Sequence, residues 1–124
     1  MEITGDIAVP KDAPKKGKLW VYVAQDNCLA EDAHLLGRVA ADSAKAFFAE
    51  VFSKWGAELT VCGALEPEKG GPAEYYGRAI NPDPKGNGAF VPAQQGEVNY
   101  SKVHIELRKG PAHQFPAAPS TPAK

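Results

Sequence analysis

The chain has 124 residues, with 14 Lys and Arg against 15 Asp and Glu, and a formal net charge of −1 at pH 7. This length fits one domain, which can bury about two-thirds of the surface of the unfolded chain. The balanced charge excludes the basic surface typical of nucleic-acid-binding proteins. No apolar run reaches the ~18 residues needed to cross a bilayer. We therefore expect a small globular domain that neither binds nucleic acid nor spans a membrane.

The opening residues, MEITGDIAVP, lack the basic and apolar regions of a signal peptide. This fits a cytosolic protein, and it equally fits an exported protein whose leader is not part of this chain. The pair Cys28 and Cys62 either forms a disulfide, which would stabilise the fold by about 3–4 kcal/mol, or remains as two buried thiols. We expect an exported location (extracellular, cell-surface or periplasmic), with a cytoplasmic one as the alternative.

The first third of the chain predicts β-strands. Residues 2–9 alternate between apolar and polar side chains and end at Pro10, which cannot donate to a β-ladder. Residues 19–24 are apolar on both faces, which predicts a central strand whose aromatic face, carrying Trp20 and Tyr22, is covered by other parts of the chain. Residues 29–43 fit either a third strand or a helix, because their alternation is interrupted by several alanines.

The densest apolar segment, residues 45–66, permits two structures. Alternation with period two predicts two antiparallel strands joined by a short turn that carries Gly56. A period of 3.6 instead predicts a helix over residues 44–55, which would make the chain a small α/β domain. We favour the two strands and keep the helix as the alternative.

The second half of the chain predicts loops around one clear strand. Residues 67–88 are rich in Pro and Gly and form a long loop in which only 73–80 is extended. Residues 90–92 predict a short edge strand. Residues 99–109 predict a strand stopped by Gly110 and Pro111, with a bulge near Ser101 or Lys102 because Tyr100 is out of phase. We expect one domain over residues 1–111 and a disordered Pro/Ala-rich tail over 112–124.

These elements predict an all-β fold, an antiparallel β-sandwich of about seven strands with an Ig-like or transthyretin-like arrangement. GDIAVP resembles the first strand, FFAEVFSKWGAELTV the central hairpin and VHIEL the last strand of the transthyretin-like (prealbumin-like) β-sandwich of carboxypeptidase regulatory domains. The chain departs from that family at Ser53-Lys54-Trp55, which stand where it has a Pro before the turn Gly. The resemblance implies a non-catalytic binding or spacer domain, often on the bacterial surface, and specifies no ligand.

The residues that carry chemistry form no recognised site. His34, His104 and His113 lack zinc-like spacing, and a cupredoxin copper site would need a methionine other than Met1. A hydrolase of the transthyretin-related type would need a C-terminal tyrosine motif, whereas this chain ends PAAPSTPAK. The acidic residues of 26–32 and the loop 81–88 are better explained as polar loops than as calcium sites. We predict no enzymatic activity, cofactor or metal.

The remaining functional signal is aromatic. Buried packing would account for most of these side chains, but a shared exposed platform would mark a protein or carbohydrate interface. The candidate binding residues are Trp20, Tyr22, Phe48, Phe52, Trp55, Tyr75 and Tyr76.

We therefore predict a structural or interaction module of the bacterial cell surface or envelope. It would act by protein–protein contact or self-assembly, through the aromatic face or the loop 67–88. Carbohydrate recognition through Trp20, Tyr75 and Tyr76 is the first alternative. The second is a cytosolic α/β domain with a ligand-binding or enzymatic role, which requires a helix at 44–55 and two reduced thiols.

Overall fold

The computed structural model describes residues 2–25, 27–41, 47–50, 59–79 and 99–115. Within these ranges the chain forms eight strands and no helix, which confirms the predicted all-β sandwich. The strands are β1 Glu2–Ala8, β2 Lys18–Ala24, β3 Leu35–Ala40, β4 Phe47–Glu50, β5 Thr60–Glu66, β6 Ala73–Arg78, β7 Asn99–Glu106 and β8 Arg108–His113. No helix in these ranges is long and apolar enough to span a membrane.

The strands form two sheets. A three-stranded sheet has the order β4-β1-β7, and a five-stranded sheet has the order β3-β2-β5-β6-β8. Every pair is antiparallel, as predicted, except β1 with β7, which run parallel. A parallel pair needs a crossover connection, because a tight hairpin can join only antiparallel neighbours.

The hairpin predicted within residues 45–66 is wrong, although both of its strands exist. β4 pairs with β1 in one sheet, and β5 pairs with β2 and β6 in the other. Alternation still places the side chains correctly, since Phe47 is buried, Phe48 is exposed, and Leu59 and Val61 lie in the core. The strand at 47–50 excludes the helix alternative there, and the rest of 44–55 lies outside the described residues.

Residues 29–43, which fit either a strand or a helix by sequence, contain a strand. β3 pairs with β2 in antiparallel register, from Trp20 opposite Ala40 to Ala24 opposite Leu35. β2 therefore has a hydrogen-bonded neighbour on each side, β3 and β5, as predicted for a strand with two apolar faces.

The main core lies between the two sheets. Strands β1, β2, β4, β5, β6 and β7 contribute buried side chains to it, and β3 adds partly buried ones at its margin. The second face of β2 and β5 contributes to a smaller outer cluster. Burial of this inner layer is the main favourable contribution to folding. Its largest fully buried side chains are Ile3, Leu59, Ile105, Leu107, Val21, Val61 and Val103.

The strand predicted over residues 99–109 is divided between two strands, β7 and β8. The chain leaves the three-stranded sheet after Glu106 and enters the five-stranded sheet at Arg108, with Leu107 buried at the corner. The predicted bulge is present, because the β1–β7 register shifts between Ile3 and Gly5 and Lys102 has a φ of 60°.

Gly110 and Pro111 do not end the β-structure, which corrects the prediction that they stop the last strand. β8 continues to His113 and pairs with β6, so the predicted domain boundary at 111/112 falls inside a strand. β8 is at the edge of its sheet. An edge strand tolerates Pro111 because a residue without an N–H can face away from the ladder.

Candidate interaction surface

The structure does not bring the predicted aromatic residues to one surface. Trp20, Tyr22 and Tyr76 belong to the outer cluster of the five-stranded sheet, whereas Tyr75 lies in the core between the sheets. Phe48 is exposed on the three-stranded sheet. Phe52 and Trp55 lie outside the described residues, and so do the loop 81–88 and the predicted strand 90–92. The described part of the predicted platform is therefore divided among three layers.

Tyr22 is covered by Phe115. The two rings stack with centroids 4.2 Å apart and planes at 4°, and both side chains are buried. Burial raises the pKa of Tyr22 above its ordinary value, while hydrogen bonding to Arg38 opposes that rise. The cover predicted for the aromatic face of β2 is thus supplied by a residue that sequence analysis assigned to a disordered tail.

Trp20 contacts two cationic side chains. Lys18 precedes it by two residues on the same strand, and Arg38 lies opposite Tyr22 on β3. The Lys18 Nζ is 4.5 Å and the Arg38 Cζ 4.0 Å from the Trp20 ring centroid. Each contact is a cation–π interaction worth about 0.5–1 kcal/mol at an exposed site. The indole ring is therefore already engaged by this chain's own side chains.

The two adjacent tyrosines also make internal contacts. The Tyr75 hydroxyl donates to the Asp12 carbonyl at 3.4 Å, and its ring is buried. The Tyr76 hydroxyl donates to the Pro111 carbonyl at 2.7 Å. Because successive residues of a strand point to opposite faces, these two rings cannot form one binding platform. The trio proposed for carbohydrate recognition does not share a surface.

Replacing Phe115 by Leu should destabilise the fold by about 1–2 kcal/mol, because it removes the ring stack while keeping an apolar side chain. The pKa of Tyr22 should also move down toward its ordinary value, since its ring becomes better hydrated. Urea unfolding and ultraviolet titration of tyrosine measure the two effects. Phe48→Leu, the same change at an exposed ring, is the control and should shift stability by less than about 0.5 kcal/mol. Equal effects of the two variants would contradict the buried stack.

Phe48 is the exposed large apolar side chain of the part of the chain that the structure describes, with 48% of its surface accessible. It lies opposite Thr4 on β1, and the next outward-facing residue of β1 is Asp6. The Asp6 Oδ2 is 3.1 Å from the His104 Nδ1, and these side chains are 50% and 54% exposed. The ring therefore projects from a surface of polar side chains, which we call the Phe48 face (Thr4, Asp6, Phe48, Lys102, His104 and Glu106).

The histidines are dispersed. His104 is exposed, as predicted, and is paired with Asp6. His113 packs its ring against Tyr76 and Phe115. Among the described residues no three His, Cys, Asp or Glu side chains are grouped as they would be to hold a metal ion.

The cysteines are joined. Cys28 and Cys62 form a disulfide with Cα atoms 6.0 Å apart, and both residues are fully buried. The Cys28 N–H donates to the Thr60 hydroxyl at 2.9 Å. The bond and this contact attach the segment after β2 to the outer face of β5.

Comparisons with protein-family models, with curated proteins and with solved structures found no match. The transthyretin-like resemblance stays a prediction. Its all-β class agrees with the structure, but its central hairpin does not, because β4 and β5 lie in different sheets.

Proposed function

We propose that this protein is a non-catalytic interaction module that is exported and acts by protein–protein contact at the Phe48 face. The observation that carries the proposal is the exposed Phe48 ring on β4. Fully burying a Phe side chain stabilises by about 1.5–3 kcal/mol, so covering the exposed half of this ring would favour association. A single aromatic anchor within a polar rim is a common energetic design of protein interfaces.

The buried disulfide supports an exported location. Disulfides persist in extracellular and periplasmic compartments, whereas cytosolic reductants keep most thiols reduced. Cys28 and Cys62 contribute to the packed outer cluster, so the bond is part of the folded structure. The bacterial cell surface or envelope is the setting that the transthyretin-like resemblance implies.

Protein contact is better supported than carbohydrate binding. Sugar rings stack on exposed aromatic faces, but Trp20 is flanked by Lys18 and Arg38. Tyr75 is buried between the sheets. Phe48, by contrast, presents its ring to solvent.

A photoreactive phenylalanine analogue at position 48 should form a covalent adduct with one defined protein when the producing cells are irradiated. The analogue at Lys15, an exposed loop residue, is the control and should form no such adduct. Mass spectrometry of the adduct identifies the partner, which is either another protein or a second copy of this chain. Absence of any specific adduct at position 48 would refute the proposal.

A further inference from the structure

We infer that residues 108–115, which we call the C-terminal arm, form a detachable cover that controls the access of thiol reductants to the Cys28–Cys62 disulfide. The arm consists of β8 and the two residues that follow it, ending at Phe115. The inference goes beyond the contact surface at Phe48, because it concerns the other sheet. It assigns a reaction site, the buried disulfide, and the class of its reactant, a dithiol.

The disulfide lies in the outer cluster, and the arm closes that cluster. Both cysteines are 0% exposed, so a reductant cannot reach either sulfur while the structure is closed. Most buried members of the cluster belong to strands of the five-stranded sheet, which forms its floor. Among the described residues, the buried members from outside those strands are Cys28 and Phe115. Phe115 is therefore the buried side chain that covers the cluster in addition to the disulfide itself.

Phe115 covers the residue that lies beside Cys62. Tyr22 is opposite Cys62 in the register of β2 and β5. The Phe115 ring stacks on the Tyr22 ring with centroids 4.2 Å apart. The His113 ring, also in the arm, packs edge-on against Phe115 at 4.6 Å. Undocking the arm would therefore expose Tyr22 and the side of the cluster on which Cys62 lies.

The ladder that holds the arm is sparse. The register pairs three residues of β8 with β6, and between Lys109 and His113 two steps along β6 correspond to four along β8. Pro111 lies in this irregular stretch and has no N–H to donate. β8 is also an edge strand, with β6 as its neighbour in the described sheet. Elements with few backbone hydrogen bonds open locally at a lower free energy than the whole fold.

Two side-chain contacts complete the attachment. The Tyr76 hydroxyl donates to the Pro111 carbonyl at 2.7 Å, within the irregular stretch. The stack of Phe115 on Tyr22 holds the end of the arm. Leu107, which precedes the arm, is anchored in the main core on the other side of the sheet. The arm can therefore undock and return as a unit while the two sheets stay folded.

Undocking permits thiol–disulfide exchange. A thiolate of the dithiol attacks one cysteine sulfur, the Cys28–Cys62 bond breaks, and the other cysteine leaves as a thiolate that takes up a proton. The second thiol of the reductant loses its proton and attacks the mixed disulfide. This step releases the first cysteine as a thiol and leaves the reductant as a disulfide, so two electrons and two protons pass to the protein. If the arm recloses faster than the reductant attacks, the reduction rate is proportional to the open fraction.

The test measures how fast excess dithiothreitol reduces the disulfide of the native protein, by alkylation of the released thiols and mass spectrometry. At urea concentrations far below the unfolding transition, Phe115→Leu should raise the rate at least fivefold and Tyr76→Phe at least twofold. The rate should change little with urea there, because undocking the arm exposes little surface. Phe48→Leu, the same change as at Phe115 but at an exposed ring on the other sheet, should leave the rate unchanged.

Ile3→Val distinguishes undocking of the arm from global unfolding. Ile3 is fully buried in the main core, so losing a methyl group there destabilises the whole fold without touching the arm. Reduction through the arm should proceed at the parent rate in this variant. Reduction through global unfolding would accelerate in Ile3→Val and Phe115→Leu in proportion to their losses of stability, and it would rise steeply with urea.

Hydrogen exchange of the unmodified protein provides a second readout. The amides by which β6 pairs with β8 should exchange faster than those of β2 and β5, with a weak dependence on urea. Exchange of these β6 amides only through global unfolding would overturn the inference. So would reduction that neither arm variant accelerates, or that Ile3→Val and Phe115→Leu accelerate in proportion to their stability. Acceleration by both arm variants, with the parent rate in Phe48→Leu and Ile3→Val, would establish it.

Discussion

Gly5→Ala should destabilise the protein by more than about 3 kcal/mol and leave little folded material. Gly5 lies in β1 beside the bulge of β7, with Val103 as its partner. A methyl group at Gly5 would overlap the Val103 carbonyl oxygen and would lie 2.6 Å from the Val103 carbonyl carbon. These are backbone atoms of the fully buried Val103, so they cannot move aside as a flexible side chain could. The substitution must therefore separate β1 from β7, the parallel pair of the three-stranded sheet.

Urea unfolding followed by circular dichroism measures this loss. Thr4→Ala is the matched control, because Thr4 precedes Gly5 on the same strand and faces outward opposite Phe48. It should change the free energy of unfolding by less than about 1 kcal/mol. A Gly5→Ala protein as stable as Thr4→Ala would mean that β1 and β7 are not in this close register.

Alternation in the sequence predicted which side chains face inward. Ile3 and Ile7 of β1 and Val103 and Ile105 of β7 are all buried, as their period-two spacing requires. The same pattern could not identify neighbouring strands. β4 and β5 are close in sequence, and inward- and outward-facing residues alternate in both. Each nevertheless buries its inward-facing side chains in a different sheet. Pairing depends on the whole set of strands, which no single segment specifies.

Residues 110–115 were mispredicted for a different reason, and the rest of the predicted tail, 116–124, lies outside the described residues. Local composition at Gly110 and Pro111 and in the Pro/Ala-rich residues that follow is typical of a chain that has left the fold. Tertiary contacts prevail here, since β8 pairs with β6 and Phe115 packs on Tyr22. The sequence signal for this packing was Phe115 itself, because a large apolar ring is unfavourable in a solvated tail.

The candidate surface was only partly predictable. The sequence placed Phe48 on the second face of its strand, and the structure shows that ring exposed. Trp20, Tyr22 and Tyr75 were equally good candidates by type, but their burial and contacts depend on Arg38, Phe115 and the opposite sheet. Sequence patterns do not give those contacts.

Reducing the Cys28–Cys62 disulfide should lower the free energy of unfolding by about 3–4 kcal/mol, as expected for a loop with a sequence separation of 34. Both cysteines are fully buried, and Cys28 also donates its N–H to Thr60. Loss of the bond should therefore loosen the outer cluster as well as enlarge the unfolded ensemble. Urea unfolding with and without reductant measures the difference.

The double variant Cys28→Ala/Cys62→Ala separates the bond from the solution conditions. Its stability should be close to that of the reduced protein and should not respond to reductant. Thiol titration of the denatured, unreduced parent protein should find no free thiol, because both cysteines are bonded. Two free thiols, together with a parent stability that is insensitive to reductant, would remove the physical argument for export, since a fold that does not need the bond would be equally stable in a reducing compartment.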